Sequence, residues 1–424
     1  MGATTFDAAP RLSIVGDRLN TQSQDGNNRA GHTSPKPNHA TRKYSKRRKA
    51  VRSLLSRSWF LPLAIMLATL SLYALNPTSS NVIHHFLFLS YKVDGNGDSP
   101  QYGKGLWDIA FVAFYTVFLS FTRDFIMHEV LRPLARHLGI KSRGKQLRFT
   151  EQMYTAVYIA FAGPFGLYCM KQTPVWYFDT RAMYEGYPHT THDAAFKFYY
   201  LFQAAFWAQQ AVVMVLGVEK RRKDFKELIG HHIITITLIA ASWRFHFAYI
   251  GIGVYITHDI SDFFLAISKS LNYIDNPYQG HSFALCIAMW IYLRHYLNLQ
   301  ILYSLITEYP TVGPYELNWE NEQFKCPLGN VLTFGLLAAL QSLNLFWLYC
   351  LFRSAYKFVF LGIAKDDRSD DEASDVEADA VEQVKEGAVG MLENNLEAEK
   401  LSLVSDTSGS ARGTTTAAPR RRRG

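Results

Sequence analysis

Cysteine is scarce in this sequence, and its spacing argues against a cysteine-based site. The 424 residues contain four cysteines, which form neither a CxxC pair nor a zinc-binding spacing. We therefore predict no metal site built on cysteine. A disulfide between Cys169 and Cys326 stays open, because both residues fall in segments expected near the same face of the molecule.

Signals of export and of repetition are also missing. The sequence Asn76-Pro77-Thr78 looks like a glycosylation site, but the proline at its centre blocks modification. The first apolar run begins near Trp59, which is too late for a cleavable signal peptide. No segment recurs with the period of a solenoid. We therefore expect neither a secreted domain nor a repeat protein.

A low average hydropathy hides a very apolar middle. The mean hydropathy is -0.06, although 48% of the residues are hydrophobic and 14% are aromatic. The average is low because residues 1–57 and 365–424 are polar, and segments with so few apolar side chains are expected to be disordered. The net charge of +8 could indicate nucleic-acid binding. However, the basic residues lie beside apolar stretches, where they orient a membrane protein, so we predict no nucleic-acid partner.

The middle of the chain contains eight apolar stretches that approach or reach the ~20 residues needed to span a bilayer. Backbone groups in lipid must bond within their own segment, so each stretch is predicted to be a helix. The sequence thus predicts an all-α membrane protein with about eight transmembrane helices, at residues 59–75, 105–122, 151–170, 197–217, 231–244, 246–268, 282–306 and 330–362.

The distribution of Lys and Arg orients these predicted helices. Residues 42–57 contain eight Lys or Arg and no acid, and residues 123–148 contain seven against two acids. Residues 307–330, in contrast, contain one against four. Positively charged loops stay in the cytosol. Both ends of the chain are therefore predicted to be cytosolic, which requires an even number of spans.

The fifth and sixth spans are predicted to form a tight helical hairpin that brings ionisable residues to one depth. If the chain turns near Phe245, both His231 and Asp259 lie roughly 21 Å from the turn at ~1.5 Å rise per residue. Asp259 and Asp262 are three residues apart and share a helix face. His231 and His232 are ~100° apart around their helix, so one of them is expected to face the carboxylates.

These four residues have a structural and a functional interpretation. Polar side chains at two helix ends could simply cap them at the membrane interface. A carboxylate inside a membrane helix costs roughly 2.5–3.5 kcal/mol, however, and four ionisable groups at one depth favour function. A His polarised by a carboxylate can act as a general base or as a nucleophile toward an activated acyl group.

The same residues could alternatively bind a metal. Two His and two Asp are a plausible ligand set for zinc or iron. Adjacent histidines diverge on a helix, however, whereas metal-binding pairs are commonly four residues apart. We therefore predict no metal and no cofactor.

Further residues are candidates for substrate binding. Aromatic residues within spans usually pack against other helices. The basic run that includes residues 221 and 222 is explained by topology alone, although it could also bind the phosphates of a cytosolic ligand. The candidates are Trp207, Gln209, Gln210, Arg221, Arg222 and His258.

The motif residues resemble those of the ceramide synthases, the longevity-assurance branch of the TLC-domain family. The stretch HHIITITLIAASWRFHFAYIGIGVYITHDISDFFLAISKSLNY (231–273) is similar to that family's signature motif from end to end. Residues 184–189, 197–210, 219–230 and 294–358 resemble fungal members. The resemblance covers roughly residues 100–362, and the absence of a homeobox-like insert favours the fungal type.

The resemblance implies acyl transfer from acyl-CoA to the amine of a sphingoid base in the endoplasmic reticulum membrane, giving ceramide or dihydroceramide. It places the essential residues at His231, His232, Asp259 and Asp262. An aspartate would orient the reacting imidazole as in a triad. Direct transfer and an acyl-histidine intermediate both stay open. The alternative is a non-enzymatic TLC-domain lipid sensor or translocation-associated protein, although such relatives tend to lack the full residue set.

The resemblance also implies a barrel-like bundle of six helices that encloses the lipid chains. A small single-span accessory subunit is implied as a partner, and a homodimer or a heterodimer with a paralogous ceramide synthase is a further candidate assembly. The predicted division is a basic cytosolic segment (1–57), a first transmembrane helix and luminal loop (58–104), a TLC core (105–310), a luminal loop and last helix (311–364) and an acidic cytosolic tail (365–424).

The acidic tail contains two candidate phosphorylation sites. Residues 366–386 hold ten Asp or Glu against two basic residues. Ser369 and Ser374 each precede acidic residues in the pattern that acidophilic kinases recognise. Phosphorylation would add about −1.5 to −2 charges at each site. A tail that is merely solvated is the alternative.

Overall fold

The computed structural model describes residues 57–93, 100–219 and 223–362. Apart from Arg57, the two predicted polar tails, which include Ser369 and Ser374, lie outside the described residues. Arg221 and Arg222 also lie outside them. What was predicted for these positions therefore stays a prediction.

Helices account for most of the described residues. The α-helices are α1 Phe60–Leu75, α2 His84–Leu87, α3 Trp107–Phe125, α4 Arg132–His137, α5 Arg143–Lys171, α6 Ala194–Val215, α7 Phe225–Arg244, α8 Ala248–Tyr273, α9 Gln279–Trp290, α10 Asn298–Thr307 and α11 Pro327–Leu361. Two π-helical segments, Ile126–Leu131 and Ile291–Leu297, join α3 to α4 and α9 to α10. Short 3-10 helices lie at Trp176–Phe178 and Arg181–Met183.

Each of the eight predicted spans coincides with one of these helices, if α9, its π-helical segment and α10 are taken as one. Among the described residues, four helices are long and apolar enough to cross a membrane: Trp107–His137, Arg143–Lys171, Ala248–Tyr273 and Pro327–Leu361. Phe60–Leu75 is apolar but shorter. The prediction of an all-α membrane protein is confirmed, whereas the number of membrane crossings stays a prediction.

The main hydrophobic core runs between α5, α6 and α8. Helix α5 lies along α8 and also contacts α6, while α7 packs against both α8 and α11. Glycines permit the closest approaches: a β-carbon at Gly166 of α5 would lie 2.4 Å from the hydroxyl oxygen of Tyr199 on α6. These contacts hold together the helices that carry the motif residues.

A small sheet and a buried ion pair join the connections at one end of the bundle. The sheet has three antiparallel two-residue strands, β1 Lys92–Val93, β2 Gln101–Tyr102 and β3 His192–Asp193. The fully buried ammonium of Lys197 lies 2.6 Å from a carboxylate oxygen of Asp108. This end of the bundle is thus fixed by polar contacts as well as by packing.

The cysteines at 169 and 326 are both free thiols. The thiol of Cys169 donates to the carbonyl of Ala195 at 3.5 Å. Cys326 precedes α11, where its sulfur accepts from the backbone N–H of Gly329 at 3.4 Å. The two thiols therefore serve separate local contacts, and the disulfide that the sequence left open is absent.

Candidate active site

The two adjacent histidines lie inside a helix rather than at its end. The sequence places the start of the fifth span at His231, but α7 begins at Phe225, so both imidazoles lie in its second turn. Their side chains are buried, with 6% of His231 and 7% of His232 exposed. The interpretation of these residues as helix caps at the interface is therefore wrong.

His231 faces a long apolar cavity, called here the first cavity. It has a volume of about 530 Å³ and lies between α6, α7, α8 and α11. Trp207, His231 and His258 line it at one depth, and Trp319 and Phe324 line it near the α7–α8 turn. The shape and apolar lining suit the hydrocarbon chain of a lipid.

The imidazole of His231 packs between aromatic rings. Its centroid lies 5.4 Å from that of Trp207 and 5.2 Å from that of Trp347, both in edge-to-face geometry. Within the described chain its Nδ1 is buried without a hydrogen-bond partner. A ring that is fixed in place while a nitrogen remains unused is suited to proton transfer or to nucleophilic attack.

The other two histidines are engaged by protein atoms. Nδ1 of His232 donates to the backbone carbonyl of Leu228 at 3.0 Å. Nδ1 of His258 donates to the carbonyl of Val254 at 2.8 Å, and its Nε2 accepts from Asn344 at 3.1 Å. Both nitrogens of His258 are therefore occupied, so its ring contributes to the cavity wall rather than to proton transfer.

Asp259 is buried and bonded to a glutamine of the neighbouring helix. Its carboxylate accepts from the side-chain amide of Gln203 on α6. The amide oxygen of Gln203 accepts from Tyr158 at 2.8 Å, and the amide nitrogen also donates to the hydroxyl of Tyr199 at 3.1 Å. Asp259 therefore belongs to a network that joins α5, α6 and α8.

Asp262 forms an ion pair with a buried arginine. The guanidinium of Arg294 lies 2.6 Å from the Asp262 carboxylate and donates to the hydroxyl of Ser261 at 2.6 Å. It also donates to the carbonyl of His258 at 3.0 Å and lies 3.9 Å above the centre of the Trp290 ring. Arg294 occurs in the π-helical segment Ile291–Leu297, a distortion that is frequent at functional sites.

The predicted pairing of an aspartate with the reacting histidine is not found. Among the described residues, which include all four motif positions, neither Asp259 nor Asp262 hydrogen-bonds to His231 or His232. Although the two carboxylates share a helix face, they point to different neighbours, Gln203 on α6 and Arg294 between α9 and α10. The triad is therefore wrong as a description of this structure.

The other candidates for substrate binding divide into two groups. Trp207 and His258 line the first cavity, and their binding of substrate stays a prediction. Gln209 and Gln210 do not line it, which corrects the prediction for these two residues. Their side chains bond to each other at 3.0 Å instead.

Three residues of the site were missed by sequence reasoning. Gln203, Arg294 and Asn344 all lie in apolar spans and are 0%, 2% and 0% exposed. Arg294 could have been found, because an ionisable residue in the middle of a membrane helix is a functional candidate by default. Nothing in the sequence pairs Gln203 with Asp259, since their contact depends on how α6 packs against α8.

Comparison with known proteins places this site in a family. Residues 148–353 match the family model described as the TLC domain. The chain is 57% identical over 330 residues to the sphingosine N-acyltransferase-like protein FUM17 of Gibberella moniliformis, covering 76% of this chain and 85% of that protein. It is 46% identical over 320 residues to the ceramide synthase LAG1 of Saccharomyces cerevisiae, covering 75% and 77%. It is 44% identical over 320 residues to the sphingosine N-acyltransferase lac1 of Schizosaccharomyces pombe, covering 76% and 83%.

The helices and their buried polar residues therefore define a membrane protein of the TLC-domain class. Within that class, the chain belongs to the fungal ceramide synthase family, that of the sphingosine N-acyltransferases. The resemblance predicted from residues 231–273 is confirmed at the level of the family.

Proposed function

We propose that this protein transfers a fatty acyl group from acyl-CoA to the amine of a sphingoid base, and so forms ceramide or dihydroceramide in the endoplasmic reticulum. The observation that carries this proposal is the position of His231, whose Nδ1 has no hydrogen-bond partner among the described residues, at one end of a long apolar cavity. The names of the similar proteins supply the reaction class.

The acyl chain lies in the first cavity, with its thioester at His231 and its tail toward Phe324. Along α7, residues 231 to 245 cover ~21 Å at ~1.5 Å per residue. Apolar walls along that length stabilise a hydrocarbon chain by roughly 0.8 kcal/mol for each buried methylene. The polyanionic CoA then remains at the end of the bundle where basic residues are concentrated.

His231 can serve the transfer by one of two routes. In the direct route, its free nitrogen takes a proton from the amine as the amine nitrogen attacks the thioester carbon. The C–S bond breaks, and the CoA thiolate leaves. In the two-step route, the imidazole attacks the thioester and releases CoA, and the amine then displaces the imidazole from the acyl carbon. Both routes form one amide bond for each thioester consumed.

We assign Asp259 and Asp262 a positioning role. Asp259 fixes α8 to α6 through Gln203, and Asp262 fixes α8 to the π-helical segment through Arg294. Both contacts set the place of α8, whose His258 ring forms part of the cavity wall. The prediction that no metal or cofactor takes part, and the predicted accessory subunit and dimer, remain proposals for the intact assembly.

The test is a reconstituted assay. Purified protein is given acyl-CoA and sphinganine, and ceramide is measured by mass spectrometry. We expect ceramide from the parent and almost none from His231→Ala, whereas His281→Ala, a change at an exposed histidine, should leave turnover unchanged. Absence of ceramide from the parent would favour a lipid sensor. Full turnover in His231→Ala would refute the proposed role of this residue.

A second measurement separates the two routes. The parent is incubated with acyl-CoA alone and its intact mass is recorded. A mass increase of one acyl group that is lost on hydroxylamine treatment, and that is missing in His231→Ala, identifies the two-step route. An unchanged mass together with normal ceramide synthesis identifies direct transfer.

A further inference from the structure

A second cavity lies on the other side of α7. It has a volume of about 670 Å³ and is enclosed by α3, α6 and α7. Its long walls are apolar and include two small residues of α6, Ala204 and Ala208. From Leu201 to Ala208 the α6 wall covers ~10 Å at ~1.5 Å per residue, a depth that suits part of one hydrocarbon chain.

The second cavity opens sideways toward the surrounding lipid. Three of the apolar residues that line it are also strongly exposed on the outer surface: Leu106 at 81%, Ile109 at 66% and Ile236 at 40%. In a membrane-spanning bundle such a surface faces the bilayer. A chain could therefore enter from the membrane without passing through the site at His231.

One end of the second cavity carries excess positive charge. The ammonium of Lys104 donates to the carbonyl of His189 at 2.9 Å, contacts Nδ1 of His246 at 3.3 Å and lies 4.7 Å above the centre of the Trp243 ring. Arg244, the residue after Trp243, also lines the second cavity. Its guanidinium lies over the rings of Phe245 and Phe324. Neither cation forms an ion pair with a carboxylate of the described residues.

The acidic residues at this end do not offset both cations. Asp108 is already engaged by Lys197 at 2.6 Å and by the indole N–H of Trp243 at 3.0 Å. Glu322 contributes one negative charge and lies 3.3 Å from His246. Because the charges of Lys197 and Asp108 cancel, Lys104 and Arg244 face only the exposed carboxylate of Glu322 among the described residues.

The environment of Lys104 also favours a bound anion. Burial lowers the pKa of its ammonium to about 7, and Asp108 and Glu322 offset this only in part. A phosphate beside the ammonium would favour its charged form, because opposite charges stabilise each other strongly where water is excluded. Arg and Lys together are well suited to hold one lipid phosphate.

We propose that the second cavity binds an anionic phospholipid of the bilayer, with the phosphate at Lys104 and Arg244 and one acyl chain along α6 and α7. The sphingoid base is a poorer occupant, because its cationic amine would be repelled at this end. The proposal concerns binding and does not depend on acyl transfer at His231.

The test uses a photoactivatable phosphatidic acid with a diazirine on one acyl chain, and the matched phosphatidylcholine. Each probe is added to the full-length protein in nanodiscs of unlabelled phosphatidylcholine. After irradiation, labelled peptides are identified by mass spectrometry. We expect the phosphatidic acid probe to label residues of α3, α6 and α7 that line the second cavity, well above the phosphatidylcholine probe.

Variants then test each part of the proposed site. Lys104→Gln combined with Arg244→Gln should reduce labelling by phosphatidic acid roughly tenfold, the effect of losing charge-assisted hydrogen bonds. Ala204→Trp, which fills the second cavity, should reduce labelling by both probes. Arg181→Gln is the matched control, because Arg181 is exposed and pairs with Glu185 away from the cavity.

Several outcomes would overturn the proposal. Equal labelling by the two probes would show that the charged end does not select an anion. Labelling confined to residues of the first cavity, or displacement by sphinganine but not by unlabelled phosphatidic acid, would assign the site to a substrate. Because the readout is binding, an inactive preparation that still shows selective labelling would separate this proposal from the proposed reaction.

Discussion

At the scale of single residues, Arg294 connects three parts of the candidate site. It bonds to Asp262 and to Ser261 on α8, lies 3.4 Å from the amide oxygen of Asn344 on α11, and comes from the π-helical segment after α9. The guanidinium is buried and the carboxylate is partly buried. Removing one partner of such an ion pair leaves the other charge uncompensated, which is more costly than removing both.

We expect Arg294→Met to lower the free energy of unfolding by about 2 kcal/mol through the loss of charge-assisted hydrogen bonds, since Asp262 is 31% exposed and its charge stays partly solvated. Asp262→Asn alone should also destabilise, and the double variant should be less destabilised than the sum of the two single changes. Denaturant unfolding in detergent measures the free energy of unfolding of the parent, the two single variants and the double variant. If the two effects simply add, the ion pair contributes no coupling, contrary to this expectation.

Gln203 is the second residue whose role follows from its contacts. Its amide donates to Asp259 and is itself held by Tyr158 and Tyr199, all of them buried. Gln203→Leu keeps the size of the side chain but leaves a buried carboxylate without this donor. We expect kcat to fall roughly tenfold or more, because an unsatisfied buried group costs ~1–3 kcal/mol.

The control for this prediction lies on the same helix. Gln210 is half-buried and bonds to Gln209 rather than to a motif residue. Gln210→Leu should leave kcat within about twofold of the parent, since substitutions away from such contacts have small effects. Equal losses in the two variants would mean that Gln203 has no specific role at Asp259.

At the residue scale, the sequence alone predicts the four motif residues but not the side chains that bond to them. The ionisable residues His231, His232, Asp259 and Asp262 could be selected because such groups are costly in apolar helices. Their partners could not be identified, because Gln203 and Arg294 are far away in sequence and approach only through helix packing. Helix periodicity places two aspartates on one face but does not say which neighbouring helix each of them contacts.

At the scale of helices, positions and lengths were largely predictable from apolar runs, and the packing between helices was not. The α7–α8 hairpin turns at Phe245–Phe247, close to the predicted position, because the polar residues Arg244 and His246 interrupt two apolar runs there. The start of α7 was predicted six residues too late, since Lys226 and Glu227 interrupt the apolar residues at the start of this helix.

Close packing of α5 against α6 gives a prediction for Gly166. A β-carbon at this position would lie 2.4 Å from the hydroxyl oxygen of Tyr199, which accepts from Gln203. Gly166→Ala should therefore cost ~1–3 kcal/mol of stability through overpacking, and should lower activity by displacing the Gln203 contact. Thermal unfolding and the ceramide assay measure the two effects.

Gly335 offers the matched control, because nothing lies within 4 Å of a β-carbon built there. Gly335→Ala in α11 should be neutral or should stabilise by up to ~1 kcal/mol, through the higher helix propensity of alanine. If both alanine variants behave alike, the approach of α5 to α6 is not the cause.

The α11 wall of the first cavity gives a prediction about acyl-chain length. Thr333 lines the cavity, whereas Val331 is 69% exposed on the outer face of the same helix. Thr333→Trp should shorten the preferred acyl chain, because each methylene that can no longer be buried loses roughly 0.8 kcal/mol. Val331→Trp is the control and should leave the preference unchanged.

Competition between acyl-CoA donors of different lengths measures this preference directly. A shift toward shorter products in Thr333→Trp, with total turnover on short donors maintained, supports the placement of the acyl chain in the first cavity. An unchanged product distribution would instead show that the acyl chain lies elsewhere.

At the scale of the whole molecule, charge is distributed unequally between the two ends of the bundle. Arg57 pairs with Glu129, and Arg123 pairs with Glu219, so the connections rich in Lys and Arg meet at one end. The start of α7 is joined to the same end, where Asp224 accepts from the indole N–H of Trp347 at 3.1 Å. His231 lies in the second turn of α7 and is therefore near this basic end.

Because the basic residues are concentrated at one end of the bundle, we predict that this end, with His231 and both ends of the chain, is cytosolic, as the positive-inside rule requires. In sealed microsomes, protease should remove a tag at the C-terminus but spare a tag inserted after Glu320, until detergent opens the membrane. The acidic connection at 307–330 would then lie in the lumen, and acyl-CoA could reach His231 without its charged head crossing the bilayer. Protection of the C-terminal tag would mean an odd number of crossings. Either the tail or the basic end of the bundle would then lie in the lumen, contrary to this prediction.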